Sequence, residues 1–189
     1  KADRPLVLAG NGAIRSQCSN CLRTLVNDYD LPVAHTFMGK GAVDDRDEHS
    51  LHAVGLGFED YVLEAFQEAD LVLCVGYDIA EYDPEDWNPE GDTTILHLDF
   101  EPAEVFYHYN PEVELIGDVA SGLADLNGAL SDRDCSFDAD WYRPIREQIV
   151  SDIEGYDLRD EEKPTIPGAL NELRRVMNPE DLMISDVGS

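Results

Sequence analysis

Apolar residues along this chain fall into short continuous runs separated by stretches with helical spacing. Pro5–Ala9, Leu31–His35, Leu71–Val75, Thr94–Leu98 and Val113–Ile116 are each the length of a strand covered on both faces. Between them, Cys21, Leu22, Leu25 and Val26 mark one face of a helix over Cys18–Asn27, and Tyr61–Phe66 marks another. Asp118 predicts the N-cap of a helix reaching about Leu130, a short helix is expected from Glu101 to Glu104, and residues 41–59 read as a long loop. Strands alternating with amphipathic helices predict a doubly wound, Rossmann-like α/β fold. Its parallel sheet should have five or six strands, helices on both faces and right-handed crossovers.

After residue 130 the pattern changes. Ser131–Asp140 is acidic and reads as a linker; Trp141–Ile153 and Pro167–Met177 can each form an amphipathic helix, the second with Leu170, Leu173 and Val176 on one stripe. Leu182–Ser185 begins a further strand. The expected organisation is therefore a domain over 1–130, an acidic linker with a helix over 131–163, and the start of another domain over 164–189.

Charge changes the picture of partners. Lysine and arginine total 13 against 41 aspartates and glutamates, a formal net charge of −28. A surface of that sign repels nucleic acid and anionic membranes, so neither is expected as a partner. Lys1, Lys40 and Lys163 are the only lysines and the acids are dispersed along the chain, which reads as adaptation to high salt. No apolar stretch approaches bilayer length and the first residues lack a signal-peptide pattern, so a cytoplasmic protein is expected. Cys18, Cys21, Cys74 and Cys135 are too sparse for a disulfide framework and should be reduced thiols.

Candidate chemistry is thin. Gly10-Asn11-Gly12 after a strand admits a phosphate-loop reading, but the third glycine of the dinucleotide fingerprint is missing and a tight strand-to-helix turn favours glycine anyway. Met38 and Lys40 after the second strand, and Gly76-Tyr77-Asp78 after the third, fall where an open parallel sheet forms its crevice. Tyr77, Tyr82 and Trp87 read as packing before ligand stacking. Cys18-Ser19-Asn20-Cys21 is half of a zinc or redox motif without its other half, and His49 and His52 lack identifiable co-ligands, so no metal site is expected. His35, His97 and His108 read as structural. No nucleophile elbow, Walker loop or metalloprotease motif occurs, so no catalytic residue is assigned.

Asp70–Asn88, with Gly76-Tyr77-Asp78 running into Glu81-Tyr82-Asp83-Pro84, resembles the middle domain of thiamine-diphosphate enzymes, most closely acetolactate synthases of the catabolic, flavin-independent type. Thr36-Phe37-Met38-Gly39-Lys40-Gly41 and Pro111–Asp118 carry the same resemblance, which covers Arg4 to about Leu130 and resumes from Pro164 to the last residue. It implies a parent enzyme that joins two pyruvates to acetolactate and CO2 with thiamine diphosphate and Mg2+, assembled as a homodimer or homotetramer. This segment would be its structural centre, inactive alone, ending in a cut-off pyrophosphate-binding domain. Val187, Gly188 and Ser189 would line the thiamine diphosphate pocket by the same resemblance; Gly10, Gly12, Met38, Lys40 and Gly76 are the cleft candidates.

The resemblance also speaks to FAD. Flavin-containing relatives typically carry arginine where this chain has Asp78, and Gly-Met-His-Gly where it has Gly55-Leu56-Gly57-Phe58. An aspartate beside a diphosphate adds repulsion where a guanidinium would donate hydrogen bonds, so FAD is disfavoured and no cofactor is expected on this segment. Two alternatives stand beside this reading: the centre of another thiamine-diphosphate decarboxylase or oxidase binding FAD or an adenine nucleotide, and a free-standing nucleotide-binding module.

Overall fold

A computed structural model describes residues 2–55, 60–133, 135–156, 165–178 and 180–184. The chain forms two compact units, residues 1–147 and 148–189. In the first, six strands make one all-parallel sheet: β1 (Pro5–Ala9), β2 (Val33–His35), β3 (Ser50–Ala53), β4 (Leu71–Val75), β5 (Thr94–Asp99) and β6 (Val113–Ile116). Their spatial order is β3-β2-β1-β4-β5-β6. Successive strands are laid down outward from β1 in one direction and then, from β4, in the other. This reversal puts a topological switch point between β1 and β4.

The central strands β1 and β4 read as unbroken apolar runs because both faces of the sheet are covered there. On one face Val7, Ala9, Val33, Leu73, Val75 and Leu98 pack under Leu22, Leu25 and Val26 of α2 (Ser19–Tyr29) and Val119 and Leu123 of α5 (Val119–Ser131). The alternate residues Leu6, Leu8, Val72, Cys74 and Ile95 are equally buried on the opposite face. A short α1 (Asn11–Arg15) follows β1, α3 (Val62–Glu68) precedes β4, and α4 (Pro84–Trp87) follows β4. Asp118 caps α5 as predicted, accepting the Ser121 N–H at 2.8 Å. At the sheet's far edge β6 leaves Val113, Leu115 and Ile116 exposed.

Two expectations fail here. The loop over 41–59 contains β3, paired to β2 with a register shift, and residues 101–104 form no helix. In that segment the Ala103 N–H is taken by the Glu114 carboxylate at 2.9 Å and the Glu101 carbonyl faces His97 Nε2 at 3.0 Å, so its backbone polar groups are spent outside any helical ladder.

The stretch after α5 stays with the first unit through residue 147. Asp30, in the left-handed conformation at the end of α2 (φ 53°), receives the Tyr142 hydroxyl at 2.8 Å and the Arg143 guanidinium at 2.9 Å. Arg146 donates to the Ser50 carbonyl at 2.6 Å. Helix α6 spans Arg143–Gly155, and in the second unit α7 spans Ile166–Val176 with Thr165 as its cap. The strand expected from Leu182 is absent over 182–184, where Leu182 and Ile184 are fully exposed coil without a pairing neighbour among the described residues. No helix among the described residues is long and apolar enough to cross a membrane.

Candidate functional site at the switch point

Three turns converge at the carboxyl ends of the central strands: Gly10–Gly12 after β1, Thr36–Gly39 after β2 and Gly76–Glu81 after β4. The first and third lie backbone against backbone. A Cβ on Gly10 would sit 2.4 Å from the Gly76 carbonyl oxygen, and one on Gly12 would sit 2.5 Å from the Gly76 Cα. Gly76 itself has φ +58°, with a Cβ position 2.3 Å from the Ala13 nitrogen. The Gly12 N–H completes the contact by donating to the Gly76 carbonyl at 2.8 Å. These glycines let two turns touch, which is the close-approach use of glycine.

Above that contact lies a carboxylate that the sequence did not single out. Glu81, half-buried, accepts the Asn11 N–H at 2.9 Å on Oε2 and 3.1 Å on Oε1. It also accepts the Thr36 hydroxyl at 2.5 Å and the Asp78 N–H at 3.2 Å. Donors from all three turns therefore close on one internal anion. Asp78, expected to be the anionic group in the crevice, is exposed, lines the cleft beside this carboxylate and accepts the Ala80 N–H at 2.8 Å within its own turn. Acids are too numerous in this chain for Glu81 to stand out; its one sequence signal is its place shortly after Gly76 at the end of β4.

Thr36 passes the constraint on. Its side chain is fully buried, and its Oγ1 also accepts the Gly39 N–H at 3.0 Å, capping the 3-10 turn Phe37–Gly39. Gly39 fits only without a Cβ, which would come within 2.1 Å of the Ala9 carbonyl oxygen. The turn holds Phe37 and Met38 out to solvent. Lys40 follows, its ammonium paired with Asp45. Burial raises the Asp45 pKa, but hydrogen bonds from His35 and Lys40 outweigh it and hold the carboxyl well below its usual range. Thus Gly10, Gly12 and Gly76 meet directly, while Met38 and Lys40 belong to the adjoining turn. Val187, Gly188 and Ser189 lie outside the described residues, as do Leu56, Gly57 and Phe58. No described side chain is assigned to thiamine diphosphate.

A cleft of about 660 Å³ remains beside the nest, between the ends of β4 and β5. Asp78, Glu81, Asp99, Glu101 and Glu104 line it against one cation, Arg15. The donors at the switch point hold a carboxylate, and most charged groups of the cleft are acids, of like charge to a phosphate.

The aromatic loop packs inward. Tyr77, Trp87 and Tyr109 are buried, with the Tyr77 and Trp87 rings edge to face at 6.2 Å and Phe66 against Trp87 at 5.3 Å. Trp87 Nε1–H donates to the Tyr77 hydroxyl at 3.2 Å, and that hydroxyl donates to the Tyr82 carbonyl at 2.5 Å. The polar tips of Tyr77, Trp87 and Tyr109 are each hydrogen-bonded within the protein. His35 and His97 each have both ring nitrogens within hydrogen-bond distance of protein oxygens, and His108 has one. His49 lies between Asp47 at 2.7 Å and Asp30 at 3.0 Å. Cys18 is buried, which pushes its thiol up to about 11. Among the described residues no group of three or more His, Cys, Asp or Glu side chains could hold a metal ion.

The fold and this crevice define a doubly wound, Rossmann-like α/β domain whose switch point carries a carboxylate from its own loop. The family described as "Thiamine pyrophosphate enzyme, central domain" matches residues 1–126, and the chain belongs to that family. It is 36% identical over 123 residues to an acetolactate synthase of Bacillus subtilis, covering 65% of this chain and 22% of that protein. It is 30% identical over 155 residues to an acetolactate synthase large subunit of Porphyra purpurea, covering 80% and 24%. A probable acetolactate synthase large subunit of Methanocaldococcus jannaschii matches at 29% over 203 aligned positions, covering 100% of this chain and 33% of that one. The chain thus spans between about a fifth and a third of the relatives' length.

Proposed function

We propose that this chain is the central portion of an acetolactate synthase that converts two pyruvates to acetolactate and CO2 and does so without a flavin. The family and the acetolactate synthase relatives support the reaction; the Glu81 carboxylate on the donors of the switch point carries the flavin-free reading. Thiamine diphosphate, held with Mg2+, supplies the electron sink for decarboxylation when bound. The described residues supply a scaffold: the glycine contact joins the two halves of the sheet, and the Thr36 cap fixes the turn bearing Met38 and Lys40. The parent would be a homodimer or homotetramer, with pyruvate as its small-molecule partner.

The test is the full-length gene product assayed for acetolactate from pyruvate with Mg2+ and thiamine diphosphate, with and without added FAD. Equal turnover in both is expected. Activity that requires FAD, or a purified protein that is yellow, would overturn the flavin-free reading. The alternative is the centre of another thiamine-diphosphate enzyme whose crevice takes FAD or an adenine nucleotide, a reading that the acidic lining of the cleft disfavours. A thermal shift with ADP, FAD or coenzyme A, coupled to inactivity on pyruvate, would put that reading first.

A further inference from the structure

The donors around Glu81 come from segments far apart in sequence, yet they are arranged as they would be for a free carboxylate. Oε1 takes the Asn11 and Asp78 amides at 3.1 and 3.2 Å; Oε2 takes the Asn11 amide at 2.9 Å and the Thr36 hydroxyl at 2.5 Å. Thr36 is fully buried and aimed into this spot, and its Oγ1 also caps the neighbouring turn through the Gly39 amide, which donates to the Thr36 carbonyl as well, at 3.0 Å. Space is limited as well. Gly10 approaches so closely that even a methyl group there would lie 2.9 Å from Oε1. Charge-assisted hydrogen bonds of this kind are the strong ones, and deleting the acceptor leaves their donors unsatisfied.

We propose that Glu81 acts as a resident anion, an internal ligand that fixes the Thr36–Lys40 turn, and that removing its side chain converts the nest into a binding site for a small monocarboxylate. The planar two-oxygen head and the tight Gly10 wall favour a carboxylate of formate size over a tetrahedral oxyanion. Glu81 is thereby a positioning residue for the turn that carries Met38 and Lys40. The inference goes beyond the catalytic reading and is independent of it, because every measurement below is made on this chain and none on pyruvate turnover.

The experiment compares the 189-residue chain with its E81A and E81Q variants, each in sodium formate and in sodium chloride of equal concentration. In E81A the Gly39 amide should exchange with solvent at least about tenfold faster than in the parent chain, because the group that holds Thr36 Oγ1 in place is gone. Formate should shift the Asn11 and Asp78 amide resonances of E81A saturably and slow the Gly39 exchange again. If formate binds with a Kd of about 10 mM, 100 mM raises the folding equilibrium constant about elevenfold over chloride. The parent chain should show neither response. E81Q, which fills the same space with a neutral head, should speed Gly39 exchange without responding to formate. A formate response equal in the parent chain and E81A overturns the proposal, as does the lack of a saturable shift in E81A. Should E81A fold poorly, recovery of its circular dichroism in formate but not chloride supports the proposal and no recovery counts against it; unchanged Gly39 exchange in E81Q overturns the positioning role.

Discussion

Asp44 and Asp45 stand side by side in the turn after β2, and both are kept ionised by their neighbours. For Asp44 the cause is the Arg46 guanidinium, which brings its pKa down to about 2; for Asp45 it is His35 and Lys40, against the opposing effect of burial. A carboxyl whose pKa is lower folded than unfolded adds stability that is complete above the unfolded value of about 3.9 and disappears as the pH falls through the folded value. Thermal stability should therefore decline between about pH 4 and pH 2. An Asp45→Asn variant should melt lower at pH 7, decline less steeply over that window and converge with the parent chain only below it, where Asp45 itself becomes protonated in the folded state. Parallel melting curves across the whole window would show that Asp45 contributes no linkage. At this scale the sequence was legible for glycines and histidines, whose roles follow from their chemistry. It was silent on Glu81, because only the folded chain brings Asn11, Thr36 and Asp78 around one acid among 41.

Between elements, the contact of the β1 and β4 turns is the most demanding geometry in the first unit. Gly76→Ala would place a methyl group 2.3 Å from the Ala13 nitrogen at a positive φ, and should cost about 3 kcal/mol through overpacking and backbone strain together. Gly128→Ala, in the last turn of α5 with open space around it, should instead be neutral or stabilise by up to about 1 kcal/mol. Urea midpoints of the two variants check both values, and similar midpoints would remove the close-contact argument. Five of the six strands were legible because each is a continuous apolar run. β3 was not: Ser50–Ala53 offers Leu51 as its one large apolar residue, a signal that local pattern cannot separate from loop. Helix α4 was passed over although Asp83 followed by Pro84 is a cap and first-turn pair, with the Asp83 side chain accepting the Glu85 N–H at 3.0 Å. The short helix expected from Glu101 shows the reverse error, since the Glu114 carboxylate that claims the Ala103 amide lies on a strand eleven residues away.

For the molecule as a whole, a net charge of −28 on 189 residues is the dominant long-range force. The Debye length shrinks from about 30 Å at 0.01 M salt to about 3 Å at 1 M, so repulsion among the dispersed carboxylates falls away at high salt. The melting temperature should rise substantially between dilute buffer and molar potassium chloride. A temperature that stays level or falls would argue against adaptation to salt. Composition alone carries this prediction, and family resemblance made the architecture legible; neither could show that Glu81 is the carboxylate on which the switch-point donors converge.

Strand β6 adds an opposing demand. Among the described residues no strand pairs with its outer edge, which lies beside exposed Val113, Leu115 and Ile116 and is the template on which another chain can add a strand. In dilute buffer mutual repulsion keeps copies apart, whereas concentrated electrolyte removes that protection while favouring the compact state. The conditions in which the chain should be most stable are thus also those in which its open margin should most readily recruit a neighbour.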